Sequence, residues 1–285
     1  MLMLEVKGVS KSYSSGNLFR KKKRLALKDI SFNLNDHETL CIVGESGCGK
    51  TTLAKCLVGL EKVNAGMIKA GEHILNSDKG TVISEIMSRI QIIFQNPDMS
   101  LNPKKTIYQV LAEPLILQKV PKSQFNKIIV DSIESVGLGE RYLKYYPHQL
   151  SGGQNQRIAV ARAILMSPDI LIADEVTSAL DVSVQAHIVH LLMKLKQDRG
   201  MTLIFISHDL TLVRRIADRV IVMKDGRIVE IGHTSDIFQN PSHEYTKLLI
   251  ENMNKMSLTT ENKQEIENVV DLESPVMTRI PVLGK

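Results

Sequence analysis

The chain has 285 residues, of which 43% are apolar and 24% are charged, as in an ordinary globular protein. These proportions exclude a wholly disordered chain, a collagen-like chain and a small domain stapled by disulfides. The net charge of +5 is weak support for nucleic-acid binding, and it suits a phosphate ligand or an anionic membrane surface equally well.

The first sixty residues predict three strands and a helix. A strand is predicted over 3–13, and a basic, polar stretch follows over 14–24. Its run Arg20–Arg24 could contact lipid headgroups or ATP, but it is interpreted as a solvated loop. Residues 30–34 alternate apolar with polar side chains, whereas 39–43 are continuously apolar and predict a strand buried on both faces. A helix over 52–60 is predicted from apolar residues at helical spacing, namely Leu53, Cys56, Leu57 and Leu60.

The middle of the chain alternates helices with strands. Helix-forming residues interrupted by prolines occupy about 100–145, and a helix is predicted over 152–166. Apolar strands are predicted over 170–173 and 203–206, with a helix over 182–198 between them. This alternation implies parallel strands joined by crossover helices.

The last part of the chain predicts a hairpin, a helix and a tail. An Asp-Gly pair at 225–226 separates β-branched runs at 220–223 and 227–231, which is a strong hairpin signal. A short helix is predicted over 243–253. Residues 254–285 lack periodicity, so we expect them to be flexible or to become ordered only on a partner.

The cysteines and the N-terminus bear on the compartment. Cys41, Cys48 and Cys56 have no His or Cys cluster at metal spacing, so neither zinc nor an iron–sulfur cluster is expected. Sparse cysteines fit a reducing compartment. The sequence predicts no signal peptide and no run of the roughly 18 apolar residues that a membrane span needs. If the protein works at a membrane, we expect a partner to hold it there.

A glycine-rich motif lies between the buried strand that ends at Val43 and the helix that follows. It matches the pattern G-x-x-x-x-G-K-[ST], in which glycines let backbone N–H groups converge on an anion at a helix N-terminus. We expect its lysine to reach the β- and γ-phosphates and its threonine hydroxyl to bind Mg²⁺. The residues are Gly44, Glu45, Ser46, Gly47, Cys48, Gly49, Lys50 and Thr51, followed by Thr52.

Two acids end the strand predicted over 170–173. Asp174 is placed to hold Mg²⁺ at the carboxyl edge of a sheet, and Glu175 to accept a proton from the attacking water or to orient it. Alone, such a pair is as often merely solvated; beside the glycine motif, a nucleotide site is favoured. The chain lacks the Asn-Lys-x-Asp guanine reader of GTPases, which favours ATP.

The sequence Leu150-Ser151-Gly152-Gly153-Gln154 decides the kind of nucleotide-binding protein. It begins a helix and forms a second anion site, for which one chain has no second nucleotide. The simplest resolution is a dimer in which each such motif faces the ATP of the other subunit. Over about residues 3–250, the chain therefore resembles an ATP-binding subunit of an ABC transporter.

The resemblance implies roles for further residues. Gln95 resembles the Q-loop glutamine that senses Mg²⁺ and couples to the membrane subunit, and residues 178–181 resemble the D-loop at the dimer interface. His208 resembles the switch histidine that contacts the γ-phosphate and steadies the attacking water. Tyr13 resembles the aromatic residue that stacks on adenine. An isolated tyrosine would more often pack within the strand, but in this context stacking is favoured.

A narrower likeness is to the oligopeptide, dipeptide and nickel importers. It is carried by residues 94–105, by Tyr-Pro-His-Gln at 146–149, by 181–185 and by His-Glu-Tyr-Thr-Lys at 243–247. The resemblance implies a second, related ATPase subunit, two integral membrane permease subunits and an extracytoplasmic substrate-binding protein. It also implies a peripheral location on the cytoplasmic face of the plasma membrane, with no nucleic-acid partner.

The sequence departs from the group's pattern at two positions. Val176 and Glu244 stand where the group usually has proline, and Val176 loosens the turn after Glu175 without removing a chemical group. The tail has no cysteine for the iron–sulfur segment that some members carry. We expect activity to survive the replacement by Val176.

These observations predict an α/β P-loop NTPase core with an antiparallel β subdomain and an α-helical signature subdomain at about 100–165. The ATP-binding domain is expected over 1–241, with a C-terminal extension over 242–285. The predicted function is ATP hydrolysis that powers import of peptides or of nickel or metal chelates. Two alternatives are a non-transport ABC ATPase acting in DNA repair or translation, and a scaffold with a dead nucleotide site.

Overall fold

The computed structural model describes residues 2–15, 22–75, 89–97, 100–177 and 182–259. In chain order, the helices and strands are β1 (Leu2–Ser15), β2 (Lys22–Asn35), β3 (Thr39–Val43), α1 (Lys50–Leu57), β4 (Ala65–Ala70), β5 (His73–Ile74), β6 (Ile90–Ile93), α2 (Ile107–Leu117), α3 (Lys122–Ser135), α4 (Gly152–Ile164), β7 (Ile170–Asp174), α5 (Val182–Arg199), β8 (Thr202–Ile206), α6 (Leu210–Ile216), β9 (Arg219–Lys224), β10 (Arg227–His233), α7 (Thr234–Gln239) and α8 (Glu244–Thr259). Short 3₁₀ turns lie at Glu140–Lys144 and Pro147–Gln149.

The chain divides into two compact units. The first comprises residues 1–90 and 201–261, and the second comprises 91–200 and 262–285. Each unit thus gathers segments from distant parts of the sequence. Among the described residues, none of the helices is both long and apolar enough to cross a membrane.

The first unit contains an antiparallel sheet and strands of a mixed one. The antiparallel sheet has the order β2-β1-β4-β5. In the other, β10, β9, β3 and β8 follow one another, and β3 is parallel to both β8 and β9. Every residue of β3 and β8 is buried, as their continuously apolar sequences predict. The hairpin predicted at Asp225-Gly226 joins β9 to β10.

The second unit is mainly helical. Helix α2 begins at a capping box in which the Thr106 hydroxyl accepts from the Gln109 N–H and the Gln109 side chain accepts from the Thr106 N–H. The helices α2, α3 and α4 bury one apolar face each, led by Leu111, Ile129 and Ile158, which are completely buried. In the same unit, β7 is the neighbour of β6.

Several element boundaries differ from the sequence prediction. β2 begins at Lys22, inside the stretch interpreted as a loop, because pairing with β1 extends to Ser15 opposite Lys22. Helix α1 ends at Leu57, and the Leu60 N–H bonds back to the Lys55 carbonyl, so Leu60 lies outside the helix and 55% exposed.

Three short elements and the end of the last helix also differ from the sequence prediction. The strands β4 and β5 and the helix α7 were not predicted, since their short sequences have weak periodicity. Helix α8 continues to Thr259, so the expectation of a structureless tail from residue 254 is wrong up to that point. Residues 260–285 lie outside the described part of the chain, as do residues 20–21 of the basic run.

Candidate active site

The glycine-rich loop joins the end of β3 to the start of α1. Gly44 and Gly49 have φ values of 151° and 112°, which side-chain-bearing residues rarely adopt. A methyl group on Gly44 would fall against the Met223 carbonyl oxygen, and one on Gly49 would lie 2.7 Å from the Ala26 carbonyl oxygen. Gly49 caps α1 without a side-chain hydrogen bond, so no cap side chain occupies the helix N-terminus.

Lys50 folds back across this loop. Its side chain is only 5% exposed, and its ammonium group donates to the carbonyl oxygens of Gly44, at 2.8 Å, and Glu45, at 3.1 Å. Burial raises the pKa of the Cys48 thiol although Lys50 acts in the opposite direction, so the thiol stays neutral beside the ammonium group. Lys50 is thus the cationic group of the loop, the kind of donor that binds phosphate strongly.

The loop is supported from two distant parts of the first unit. The Gly226 N–H, in the hairpin between β9 and β10, donates to the Cys48 carbonyl at 2.9 Å. The phenolic oxygen of Tyr245, at the start of α8, accepts from the Glu45 N–H at 3.1 Å. The sequence alone did not assign Gly226 or Tyr245 to the site, although the Asp-Gly hairpin and the His-Glu-Tyr-Thr-Lys sequence that contain them were identified. Their separation from the loop by about 200 residues left no local signal.

The structure brings His208 to the same edge of the sheet as the loop. His208 follows β8, which runs parallel to β3, and the Ser207 N–H donates to the Ile42 carbonyl at 3.3 Å. Asp209 fixes the turn by accepting from the N–H groups of Thr211 and Leu212 at the start of α6. His208 is exposed at this edge of the sheet.

Tyr13 lies on β1, in the same unit. It pairs with Arg24 on β2, two residues from Ala26, whose carbonyl oxygen borders Gly49. The ring is 37% exposed, and the Lys11 ammonium group lies 5.0 Å from its centroid. This position at the margin of the loop is compatible with stacking on a planar base.

The predicted acids and Gln95 belong to the second unit. Asp174 is the last residue of β7 and is 1% exposed, while Glu175 follows with φ 49°, a strained value of the kind that clusters at functional sites. Gln95 lies two residues past the end of β6, the neighbour of β7. Val176, at the position of the group's usual proline, is 1% exposed. Residues 178–181, the predicted D-loop, are outside the described residues.

The second anion motif forms the start of α4. Ser151 is its N-cap: the hydroxyl accepts from the Gln154 N–H at 3.3 Å, and the Gln154 side chain accepts from the Ser151 N–H at 2.9 Å. Ser151 and Gly152 are exposed, whereas Gly153 and Gln154 are half-buried. The motif therefore faces solvent, where another molecule can reach it.

The side chains present fit a nucleotide with Mg²⁺. In the first unit, the exposed residue Thr51 carries a hydroxyl group at the first turn of α1, and in the second unit Asp174 carries a carboxylate. Each is a hard oxygen donor of the kind that Mg²⁺ prefers. Within the described ranges, no group of three or more His, Cys, Asp or Glu side chains could hold a metal ion by itself.

The strand, glycine-rich loop and helix, with a lysine folded over the loop, define a P-loop nucleoside-triphosphatase. A family model described as ABC transporter matches residues 27–178, and one described as oligopeptide/dipeptide transporter, C-terminal region, matches 229–274. The chain belongs to the ABC transporter family and is an ATPase of that family. The predicted fold class and family are therefore confirmed.

Relatives and solved structures agree with this assignment. The dipeptide transport ATP-binding protein DppF of Haemophilus influenzae is 42% identical, covering 96% of this chain and 84% of that protein. The oligopeptide transport ATP-binding protein AmiF of Streptococcus pneumoniae is 41% identical, covering 87% and 80%. The dimeric ATP-binding cassette MJ0796 bound to ADP and Pi superposes with a TM-score of 0.74 at 30% identity, covering 81% of this chain and 99% of that one.

Proposed function

We propose that this chain is the ATP-hydrolysing subunit of an importer for peptides. The observation that carries the proposal is the buried Lys50 ammonium group, held over a glycine loop at a helix N-terminus. The peptide assignment is supported by the match over 229–274 and by relatives named for dipeptides and oligopeptides. Nickel or metal chelates, the other predicted cargo, have no support from these relatives.

In this proposal, the first unit holds most of the nucleotide. Lys50 and the N–H groups of residues 46–52 bind the phosphates, and Tyr13 stacks on adenine. Thr51 is assigned to Mg²⁺ together with Gln95 and Asp174 of the second unit. Bound Mg²⁺ would neutralise charge on the β- and γ-phosphates.

Glu175 and His208 act on the attacking water. The Glu175 carboxylate accepts its proton or orients it, and the exposed His208 imidazole donates a hydrogen bond towards the γ-phosphate. Ser151, Gly152, Gly153 and Gln154 of one subunit close on the ATP held by the other. Their position at an exposed helix N-terminus supports this, since the dipole and N–H groups there attract phosphate.

The proposal extends to the partners and the domain boundaries. We assign the ATP-binding domain to 1–241, its helical subdomain to about 100–165, and a C-terminal extension to 242–285. A second, related ATPase subunit pairs with this chain below two membrane permease subunits, on the cytoplasmic face of the plasma membrane. A binding protein on the other side delivers the peptide, and the segment around Gln95 transmits motion to the permeases.

The decisive experiment is Glu175→Gln. The variant should bind ATP with the affinity of the unmodified protein and accumulate a closed dimer, while steady hydrolysis falls by about 100-fold or more because the water has no carboxylate partner. Glu134→Gln, at an exposed position of α3, is the matched control and should hydrolyse ATP normally. Unchanged turnover in Glu175→Gln would remove that residue from the proposed role.

A non-transport ABC ATPase is not favoured. Residues 100–151 are all described, and their two α-helices have 11 and 14 residues, too short for the long coiled coil of that alternative. Purification from membranes tests the remaining difference. Co-purification with integral membrane subunits supports the importer, whereas purification without them from a strain that expresses the whole transport operon contradicts it.

A further inference from the structure

The side chain of Tyr245 is inserted into the first unit from the start of α8. It is 5% exposed, and its phenolic oxygen accepts from the Glu45 N–H in the glycine-rich loop at 3.1 Å. The Lys224 ammonium group lies 4.7 Å from the centroid of its ring. The hydroxyl group therefore reaches the loop from a ring that other contacts already hold in place.

The start of α8 is itself held by side chains. The Glu230 carboxylate on β10 accepts from the N–H groups of Ser242, at 2.7 Å, and His243, at 3.1 Å. The Nδ1 atom of His243 in turn accepts from the Tyr245 N–H at 3.1 Å. These bonds fix where the Tyr245 side chain leaves the backbone, independently of the loop that it touches.

Glu45 connects Tyr245 to the lysine of the loop. Its N–H donates to Tyr245, and its carbonyl oxygen accepts from the Lys50 ammonium group at 3.1 Å and from the Cys48 N–H at 3.3 Å. A displacement of Glu45 would move an acceptor of Lys50 and the turn that leads to Cys48.

We propose that Tyr245 is a positioning residue that holds the phosphate loop in its nucleotide-binding conformation through the Glu45 N–H. The inference rests on the proposed ATP site, and it gives the His-Glu-Tyr-Thr-Lys sequence of the C-terminal region a role inside the ATPase. Burial raises the pKa of Tyr245, and the Glu45 carboxylate acts in the same direction. The phenol thus stays neutral at physiological pH and remains an acceptor for the Glu45 N–H.

The test is Tyr245→Phe in the full chain, which keeps the buried ring above Lys224 and removes only the hydroxyl group. Binding of a fluorescent ATP analogue should weaken by about ten-fold, the order expected for one neutral hydrogen bond, and KM for ATP should rise in parallel. The kcat at saturating ATP should change by less than about two-fold, because Glu175 and His208 are untouched. Tyr108→Phe, in the second unit, is the matched control and should bind the analogue normally.

A second measurement keeps the inference testable if Tyr245→Phe folds poorly. In the unmodified protein, the Glu45 amide should exchange hydrogen slowly despite the exposed side chain of that residue, and in Tyr245→Phe it should exchange faster. Fast exchange in the unmodified protein would overturn the inference, and so would unaltered ATP affinity in a folded Tyr245→Phe variant.

The route through the backbone can be separated from the Glu45 carboxylate. Glu45→Gln keeps the N–H and removes the negative charge, so Tyr245→Phe should weaken ATP binding by the same factor in that background. Loss of the effect would assign it to the carboxylate and overturn the proposed route. Lys50→Ala separates the two proposals: it should abolish binding of the analogue whatever the role of Tyr245, and undiminished binding would contradict the ATP site itself.

Discussion

Two helix N-termini of this protein are proposed to bind phosphate, and they are stabilised in opposite ways. Helix α1 is capped by Gly49 with no side-chain hydrogen bond, and its loop is supported by Gly226 and Tyr245 from far along the chain. Helix α4 is capped by its own residues, since Ser151 and Gln154 hydrogen-bond to each other. Tertiary contacts thus stabilise the N-terminus of α1, whereas hydrogen bonds between residues close in sequence stabilise that of α4.

The difference shows what each site requires. The loop before α1 must keep its backbone N–H groups convergent without a capping side chain, so the rest of the unit must hold it. The start of α4 is already satisfied within three residues and presents an exposed surface. Damage at the first site should therefore weaken ATP binding by a single subunit, whereas damage at the second should leave ATP binding intact and lower the turnover of a pair.

The largest expected effect comes from Gly44→Ala. The added methyl group would meet the Met223 carbonyl oxygen and lie 2.9 Å from the Cys48 sulfur atom, at a φ of 151°. We expect this strain to make the free energy of ATP binding less favourable by about 3 kcal/mol, equal to a fall in affinity of about 100-fold. Titration with a fluorescent nucleotide measures this loss. Gly139→Ala has open space around it and φ −80°, and it should bind ATP normally.

An ATP affinity of Gly44→Ala within a few-fold of the unmodified protein would mean that the tertiary contacts do not shape the loop. Because backbone atoms form the obstacle at Gly44, no side-chain rotation can relieve it. This distinguishes the variant from substitutions at Gly153, where the nearest atom is the Val184 Cγ1 at 2.7 Å, the end of a side chain that can turn.

Ser151→Ala tests the local site. Removing the cap should lower the free energy of unfolding by about 1 kcal/mol, and removing a donor from the terminal phosphate should lower paired turnover by about 100-fold while ATP binding persists. Thr106→Ala is the matched control, because Thr106 caps α2 with the same 3.3 Å bond and the same kind of box. It should cost similar stability and leave turnover unchanged. Equal turnover in both variants would contradict the split site.

The same contrast explains what the sequence could predict. The glycine motif, the helix start at Ser151 and the buried strand 39–43 could be predicted because their geometry is set by residues close in sequence. The contacts of Tyr245 and Gly226 with the loop were not predictable, because they depend on how α8 and the hairpin pack. The start of β2 at Lys22 was not predicted for the same reason, because pairing with β1, and not the hydrophobic pattern, determines where this strand begins.

A smaller effect is expected at Arg162 of α4, which contacts Ser100 in the segment 94–105 that resembles the peptide and nickel importers. Its guanidinium group donates to the Ser100 carbonyl at 2.9 Å and to the Glu113 carboxylate at 3.1 Å, and Lys105 pairs with that carboxylate at 2.7 Å. Arg162→Met should lower the free energy of unfolding by about 1–2 kcal/mol, since the groups are partly exposed. Urea denaturation measures this loss.

A second variant, Arg162→Lys, tests whether the planar guanidinium group is needed to bind both acceptors. Arg162→Lys keeps the charge but cannot reach both acceptors at once, so it should restore less than half of the lost stability. Full restoration would show that charge alone holds α4 to the segment at Ser100. In that case, the position of α4 would depend less on the paired hydrogen bonds of Arg162 than their geometry indicates.

The smallest effect concerns the carboxylate that fixes the start of α8. Burial alone would raise the pKa of Glu230, but hydrogen bonds to its carboxylate, including those from the Ser242 and His243 N–H groups, hold it below its ordinary value of 4.5. The ionised form therefore stabilises the fold above about pH 4.5, and this contribution is lost as the pH falls through the lowered pKa.

Glu230→Gln should remove that pH dependence at a cost of about 0.5 kcal/mol near neutral pH, because solvent screens a half-exposed carboxylate. Urea midpoints measured above and below pH 4.5 should converge more than those of the unmodified protein, and Glu134→Gln, the same substitution at an exposed position, is the control. If α8 positions the phosphate loop through Tyr245, ATP affinity should also fall slightly in Glu230→Gln. An altered pH profile with unaltered affinity would confine Glu230 to the stability of α8 and separate the anchor from the loop.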